Sequence, residues 1–357
     1  MRGGQRLTSR AYVLLTAMPP TKGHLRLIQY ATKIAPRVEV HLQTQPGEPF
    51  VKERYDALVD ATRHLAGVSI HSMHKTLPQE PDEAAESKFW DMWAGFLREW
   101  GITSEDYIVG SEKYGVPLAR YTGATFMPYD MGRTILDIKA QHVREDPLAY
   151  FDTILPEFQP VLRKTVTVFG AESTGKTTLA QALSKELGST WIPEWARPYL
   201  ETVTSEITWE SMRDIWYGQR ALQDHAREVL AVDSRVLIQD TDLYSTLGYW
   251  DAGLQGLDVS KVPAGLAYDA AVRRSDLYII TPSNIDFEED PIRYGGDHRE
   301  LETDDWIRFA KLHSLNYVVL SGNDLDTRVD EAVSIIINLF DEGSAPLRYK
   351  REGKEYA

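Results

Sequence analysis

The stretch Gly170-Ala171-Glu172-Ser173-Thr174-Gly175-Lys176-Thr177 meets the pattern G-x-x-x-x-G-K-[ST] at every fixed position. Its residue types suit the cradling of a nucleotide's phosphates. The glycines let backbone N–H groups wrap a phosphate, a helix N-terminus adds partial positive charge, Lys176 reaches the β- and γ-phosphates, and the Thr177 hydroxyl ligates Mg²⁺. Asp240 closes the apolar run "RVLIQD" and is the candidate carboxylate for the same metal, with Asp242 two residues on; the plainer reading of an acidic residue after a buried strand is a turn former. Such a motif indicates phosphoryl transfer and leaves the acceptor open among ATPases, GTPases and small-molecule kinases.

A kinase also needs a carboxylate to hold or deprotonate the acceptor hydroxyl, and arginines to follow the migrating charge. "WIPEWARPYL" offers Glu194 and Arg197 beside two tryptophans, and "EEDPIRYGGDHRE" offers Arg293 and Arg299 in a glycine-containing loop able to close as a lid. Each has a plainer reading as a solvated surface charge. Near the start, "AMPPTKGH" places Gly23 and His24 between an apolar run and a helical pattern, where a phosphate site can form. A lone Gly-His pair is a weak signal by itself. Trp90 and Trp93 fit the buried face of a helix, with Phe89, Phe96, Leu97 and Trp100, better than a ring-stacking platform. Arg54 is a candidate phosphate contact that no local pattern supports.

Two α/β units in series must carry these residues. In the first, strands "AYVLLTA", "VEVHLQT", "VSIHSM" and "YIVGS" alternate with helical patterns "HLRLIQYATKIA", "VKERYDALVDATRHLA" and "KFWDMWAGFLREW". In the second, "KTVTVF" leads through the phosphate loop into "TLAQALSKEL", and "RVLIQD", "LYIITP" and "YVVLSG" precede a closing helix "LDTRVDEAVSIIINLF". This alternation predicts an α/β fold with two parallel-sheet domains, residues 1–150 and 164–342, joined by a linker over 151–163 and followed by a mobile tail over 343–357.

With 357 residues, 43% of them apolar, the chain has material for two cores. Its 39 basic and 53 acidic residues leave a net charge of -14, which argues against attraction to nucleic acid or anionic lipid. No cysteine is present, excluding disulfides, thiolate catalysis and cysteine-bound zinc; a cytoplasmic location is the simplest expectation. The apolar run after the first arginines is too short for a membrane anchor and is predicted to be the first strand. A homo-oligomer stays open.

The segment "VTVFGAESTGKTTLAQALSKELGSTWIPEWARPYLE", then "YGQRAL", "IQDTDL" and "SDLYIITPSNIDFEEDPIR" resemble the successive motifs of the ribosylnicotinamide kinase half of the NadR family. The likeness runs across most of residues 164–340. It implies ATP at Gly170, Glu172, Ser173, Thr174, Gly175, Lys176, Thr177 and Thr178, Mg²⁺ near Thr177 and Asp240, and nicotinamide riboside near Glu194, Arg197 and Gln219.

That family couples the kinase to a Rossmann-like nucleotidylyltransferase domain, and "TKGH" resembles the [H/T]-x-G-H turn of such enzymes. The resemblance implies that Thr21, Lys22, Gly23 and His24 meet the triphosphate. "DMGRTILDI" is similar to the D-x-x-R element and brings in Asp130 and Arg133, while "VGSEKYG" is similar to a Ser-Glu-x-Tyr-Gly turn and brings in Ser111, Glu112 and Tyr114. The late motif "ISGTxIRENP" is matched by Ile138-Lys139-Ala140-Gln141-His142-Val143-Arg144-Glu145-Asp146-Pro147. Arg144 is kept, hydroxyl donors are lost, and Lys139 and His142 add cationic ones.

The resemblance therefore implies a bifunctional enzyme of NAD salvage, using ATP and Mg²⁺ to make nicotinamide mononucleotide (NMN) and then NAD. The altered late motif keeps open a single-activity kinase with a nucleotide-binding regulatory domain. Some members carry a helix-turn-helix domain ahead of these two; the few residues before the first strand leave no room for one, so nucleic-acid binding is not expected.

Overall fold

The computed structural model describes residues 9–73, 77–78, 86–135, 139–230, 234–253, 258–285 and 301–348. The chain forms two compact units, one running to Leu162 and including the described end of the chain from Gly343, the other Arg163–Glu342.

The first unit contains β1 (Arg10–Leu15), α1 (Lys22–Ile34), β2 (Arg37–Gln43), α2 (Val51–Thr62), β3 (Val68–Met73), α3 (Glu86–Glu99), β4 (Tyr107–Gly110), α4 (Gly115–Thr122), β5 (Thr125–Pro128), α5 (Ala140–Glu145) and α6 (Gln159–Leu162). Its five strands pair in parallel in the order β3-β2-β1-β4-β5. Strand order reverses at β1, so the ends of β1 and β4 flank the crevice where such sheets take ligands. Strand β1 is central because "AYV" buries on both faces, and α1 covers it with Leu27, Ile28 and Ala31.

The second unit contains β6 (Lys164–Phe169), α7 (Lys176–Leu187), β7 (Thr190–Ile192), α8 (Ala196–Thr202), α9 (Trp209–His225), β8 (Val236–Asp240), α10 (Leu243–Asp251), α11 (Ala264–Val272), β9 (Leu277–Ile280), α12 (Thr303–Leu312), β10 (Tyr317–Val319) and α13 (Leu325–Ser344). All pairs are parallel in the order β10-β9-β6-β8-β7. Side-chain alternation sorts the central strand. Val166 and Val168 pack with Leu179, Leu183 and Ile336 from α7 and α13, whereas Phe169 packs with Trp250 and Trp306 on the other face. Among the described residues no helix is long and apolar enough to cross a membrane.

Two expectations about the joints differ from the structure where the described residues reach them. Residues 151–163, read as a linker, bury Phe151, Ile154, Leu155, Phe158 and Leu162 in the first unit, because their apolar side chains have a core to enter. Of the tail 343–357, residues 343–348 finish α13 and form a 3₁₀ turn with Leu347 fully buried; the rest lies outside the described residues. Trp90 and Trp93 are core residues, their ring N–H groups donating to Glu86 and to Pro78 O. Arg54 is fully buried, ion-paired with Glu48 at 2.8 Å and aimed at Thr16 O, so it is a structural cation and not a surface phosphate ligand.

His41 on β2 is fully buried against Tyr12, Phe96, His71 and Trp100, with neither ring nitrogen hydrogen-bonded. Burial, and secondarily the neighbouring His71, lower its pKa from 6.5 to about 4. The unfolded chain takes up this proton near 6.5 and the folded chain only near 4, so stability is lost as pH falls through that window. His41→Phe is expected to raise the thermal unfolding midpoint more at about pH 5 than at about pH 7.5. A pH-independent difference, followed by circular dichroism, would refute the assignment.

Candidate active sites

In the second unit, β6 ends at Phe169 and the chain turns through 170–175 into α7. Gly170 has φ 137°, and a Cβ there would lie 2.9 Å from Thr281 O, so the loop can pass the end of β9 only without a side chain. Within the loop the Thr174 hydroxyl donates to Ala171 O at 2.8 Å and meets Thr281 Oγ1 at 2.7 Å. Lys176 Nζ spans the turn to Ala171 O at 2.5 Å and is 6% exposed. Its reach across the loop is where a β- or γ-phosphate would be met.

The Thr177 hydroxyl donates to Asp240 Oδ2 at 2.6 Å. Asp240 stands at the end of β8, buried, with Oδ1 lacking a hydrogen-bond partner. Burial raises its pKa, opposed by the Thr177 hydrogen bond, Lys176 and Arg197. A hydroxyl beside a carboxylate oxygen with spare acceptor capacity suits Mg²⁺, which takes one or two protein oxygens and completes its shell with phosphates and water. Among the described residues no cluster of three or more His, Cys, Asp or Glu could hold a metal alone. Asp242 has another job. It caps α10 through Tyr244 N and accepts the Tyr278 hydroxyl at 2.8 Å.

Beyond β7, Glu194 is half-buried, and Trp195 N donates to Gln219 Oε1 at 2.9 Å on α9. Gln219 is 2% exposed and its Nε2 has no hydrogen-bond partner. Trp195 stacks on Tyr199 at 5.1 Å and packs over Gly218, where a Cβ would lie 2.2 Å from the indole. Arg197 lies 3.8 Å from Glu201 and its charge acts on Asp240. Ser245 and Tyr249, one helical turn apart on α10 just after Asp240, are further candidates that no motif in the sequence singles out. Both hydroxyls are buried without hydrogen-bond partners, and Tyr249 feels the charges of Glu172 and Asp240. Hydroxyls at i and i+4 after a metal-type Asp were the available signal. Arg293 and Arg299 lie outside the described residues.

In the first unit Thr21 is the N-cap of α1, and Lys22, Gly23 and His24 form its first turn. His24 Nδ1 accepts the Thr21 backbone N–H at 3.0 Å and lies 2.8 Å from Thr21 Oγ1. This bond puts the proton of the neutral ring on Nε2, which is left as a donor. Burial first, then Arg133 and Arg144, lower the His24 pKa to about 4, so both arginines are close enough to act on the turn. Arg133 pairs with Glu112 at 2.6 Å, and Arg144 Nη1 donates to Met18 O at 3.1 Å. Ser111 is half-buried just beyond β4, Asp130 ties its own loop through Thr134 and Ile135, and the Tyr114 hydroxyl donates to Leu14 O at 3.3 Å. Lys139 and His142 are both exposed, His142 lying over Tyr150 at 6.2 Å.

A complete phosphate loop on the central strand of one parallel unit, in a chain that also forms a second parallel unit, defines a P-loop nucleotide-binding protein of two α/β units. A family model described as an AAA domain matches residues 165–328. The chain is 25% identical over 307 residues to the "Trifunctional NAD biosynthesis/regulator protein NadR" of Salmonella typhimurium, covering 83% of this chain and 71% of that one. The protein of the same name from Escherichia coli is 24% identical over the same coverage. Two crystal structures of NadR protein, one in complex with NR and one with NAD and AMP-PNP, superpose with a TM-score of 0.63 at 21% identity; they cover 97% and 98% of this chain and 98% of each of theirs. The chain is similar to the NadR proteins over most of its length.

Gly218→Ala should displace Trp195 and with it Gln219, lowering kcat/KM of the kinase-like second unit by about tenfold or more without unfolding the protein. Unchanged steady-state kinetics in the folded variant would remove this wall from the site.

Proposed function

We propose that this is a bifunctional enzyme of NAD biosynthesis. The second unit phosphorylates nicotinamide riboside with ATP to give NMN, and the first transfers AMP from ATP to NMN, giving NAD and pyrophosphate. One observation carries the kinase half: Thr177 meets Asp240 at 2.6 Å, while Ser245 Oγ, the Tyr249 hydroxyl and Gln219 Nε2 are buried polar groups with no hydrogen-bond partner in the same unit. Hydroxyls and an amide held in this state suit the hydroxyl-rich sugar of a nucleoside. The names of the relatives supply the riboside's base.

In this reading Glu194 accepts the proton of the riboside's 5′-hydroxyl as its oxygen bonds the γ-phosphorus and the bond to ADP breaks. Lys176 follows the charge onto the β,γ-bridge, and Arg197 neutralises the transferring group. Bound Mg²⁺ at Thr177 and Asp240 would neutralise the β- and γ-phosphates.

In the first unit a phosphate oxygen of NMN attacks the α-phosphorus of ATP in line, and pyrophosphate departs with the bridging oxygen. Catalysis there is positioning and charge compensation. Neutral His24 donates from Nε2 to a phosphate oxygen, with Thr21 and Lys22 alongside, and Arg133, Arg144 and Ser111 hold the two nucleotides. A second reading, a kinase with a regulatory nucleotide-binding unit, rests on Lys139 and His142 standing exposed and on Gln141 bonding to Glu145 in the late motif. NAD formation from NMN and ATP decides between them: no turnover in a protein with an intact kinase overturns the bifunctional reading.

Lys176→Ala should abolish riboside phosphorylation, by about a hundredfold or more, and leave adenylyl transfer intact; His24→Ala should do the converse. Loss of both activities in either folded variant contradicts the assignment. With its pKa lowered to about 4, His24 is neutral in the free enzyme at ordinary pH, so kcat/KM for adenylyl transfer, which reports the free enzyme, should show no His24 inflection between about pH 5.5 and 8. An inflection abolished by His24→Gln would contradict the neutral donor.

A further inference from the structure

A backbone N–H turned toward a phosphate leaves a carbonyl turned away from it. Thr174 C=O and Gly175 N–H belong to one trans peptide and point in opposite directions, so the carbonyl needs a donor behind the loop. That donor lies far away in sequence, on α13, where Arg328 Nη1 donates to Thr174 O at 2.7 Å. The same guanidinium donates from Nε to Gly322 O at 2.9 Å, and from Nη2 to Pro282 O at 3.3 Å and to the Asn284 side-chain oxygen. Pro282 and Asn284 follow β9 and Gly322 follows β10, so one side chain ties the loop to the ends of two neighbouring strands.

Arg328 is 4% exposed, and these four acceptors are all neutral oxygens. No carboxylate hydrogen-bonds the guanidinium, although the charge of Asp324 acts on it, and desolvating such a cation is expensive for a purely structural tie. It is reasonable where an anion is to be held. A Cβ on Gly175 would lie 3.6 Å from Arg328 Nη1, so the cation is one peptide plane behind the turn.

We propose that Arg328 is a positioning residue for the nucleotide: it holds the Thr174–Gly175 peptide with its N–H toward the phosphates and sets a fixed positive charge behind the loop. The inference rests on the nucleotide-binding reading of the second unit and adds to it a residue outside the phosphate-loop motif. Lysine can keep the charge but not the planar fork that serves these acceptors, and methionine keeps only the packing.

The test uses the full chain with Mg²⁺, measuring ADP affinity by calorimetry, thermal unfolding, and the KM for riboside. Arg328→Lys and Arg328→Met should remain folded and lose ADP affinity by about tenfold or more, methionine the more strongly, while the riboside KM moves less than about twofold. A folded Arg328→Lys that binds ADP like the parent overturns the proposal, as does an equal loss of both substrates, which would mark a merely structural role. If neither variant folds, Asn284→Ala, which removes one acceptor of the fork, should lose ADP affinity about threefold; unchanged affinity overturns the proposal there too. Failure of the parent protein itself to bind ADP would sink the nucleotide reading, and is distinguishable because no variant is involved.

Discussion

Anion binding by a backbone turn carries a constraint: each N–H aimed at a phosphate leaves a carbonyl aimed elsewhere, and that carbonyl must be satisfied inside the protein. In the second unit Ala171 O is met by Lys176 and by the Thr174 hydroxyl, and Thr174 O by Arg328. Much of the surrounding structure follows. Strand β9 must end beside the loop so that Thr281 can meet Thr174, Gly170 must lack a side chain to let it approach, and α13 must pass behind the turn.

The first unit meets its own version with side chains. Thr21 and His24 cap each other at the start of α1, directly after the central strand, and Arg133 and Arg144 arrive from beyond β5. Because the Nδ1 of His24 is committed to Thr21, the ring has Nε2 as its one donor and no charge near neutrality. The cationic contribution is left to the arginines, whose own field helps to keep the imidazole neutral.

Two aspartates two residues apart show how environment separates roles. Asp242 is saturated by the Tyr278 hydroxyl and the start of α10, and burial raises its pKa to about 6. Asp240 has Thr177 on one oxygen and nothing on the other. One is a helix cap and a member of a buried polar network; the other keeps the coordinating capacity that a phosphate site needs. The buried Arg54–Glu48 pair is a third case, in which a cation near the end of β1 is already neutralised.

Much of this was legible in the sequence. Strands such as Val68–Met73 and Lys164–Phe169 and the helices beside them follow from local apolar periodicity, and the phosphate loop from residue spacing. The short edge strands β5 and β7 were not legible, since three or four half-exposed residues make no periodic signal. Nor was the packing of residues 151–163, whose prolines resemble a linker until an apolar core is present to receive Phe151 and Phe158. Arg54 and Arg328 read alike as charged residues in helical patterns, yet one closes an ion pair and the other supports the phosphate loop. Sequence alone determined what is local: the order of strands and helices, and the loop whose function depends on its own glycines, lysine and threonine. Only the tertiary structure decided which donor meets which carbonyl, because Arg328 and Thr174 lie 154 residues apart and a hydrogen bond depends on distance and direction in space.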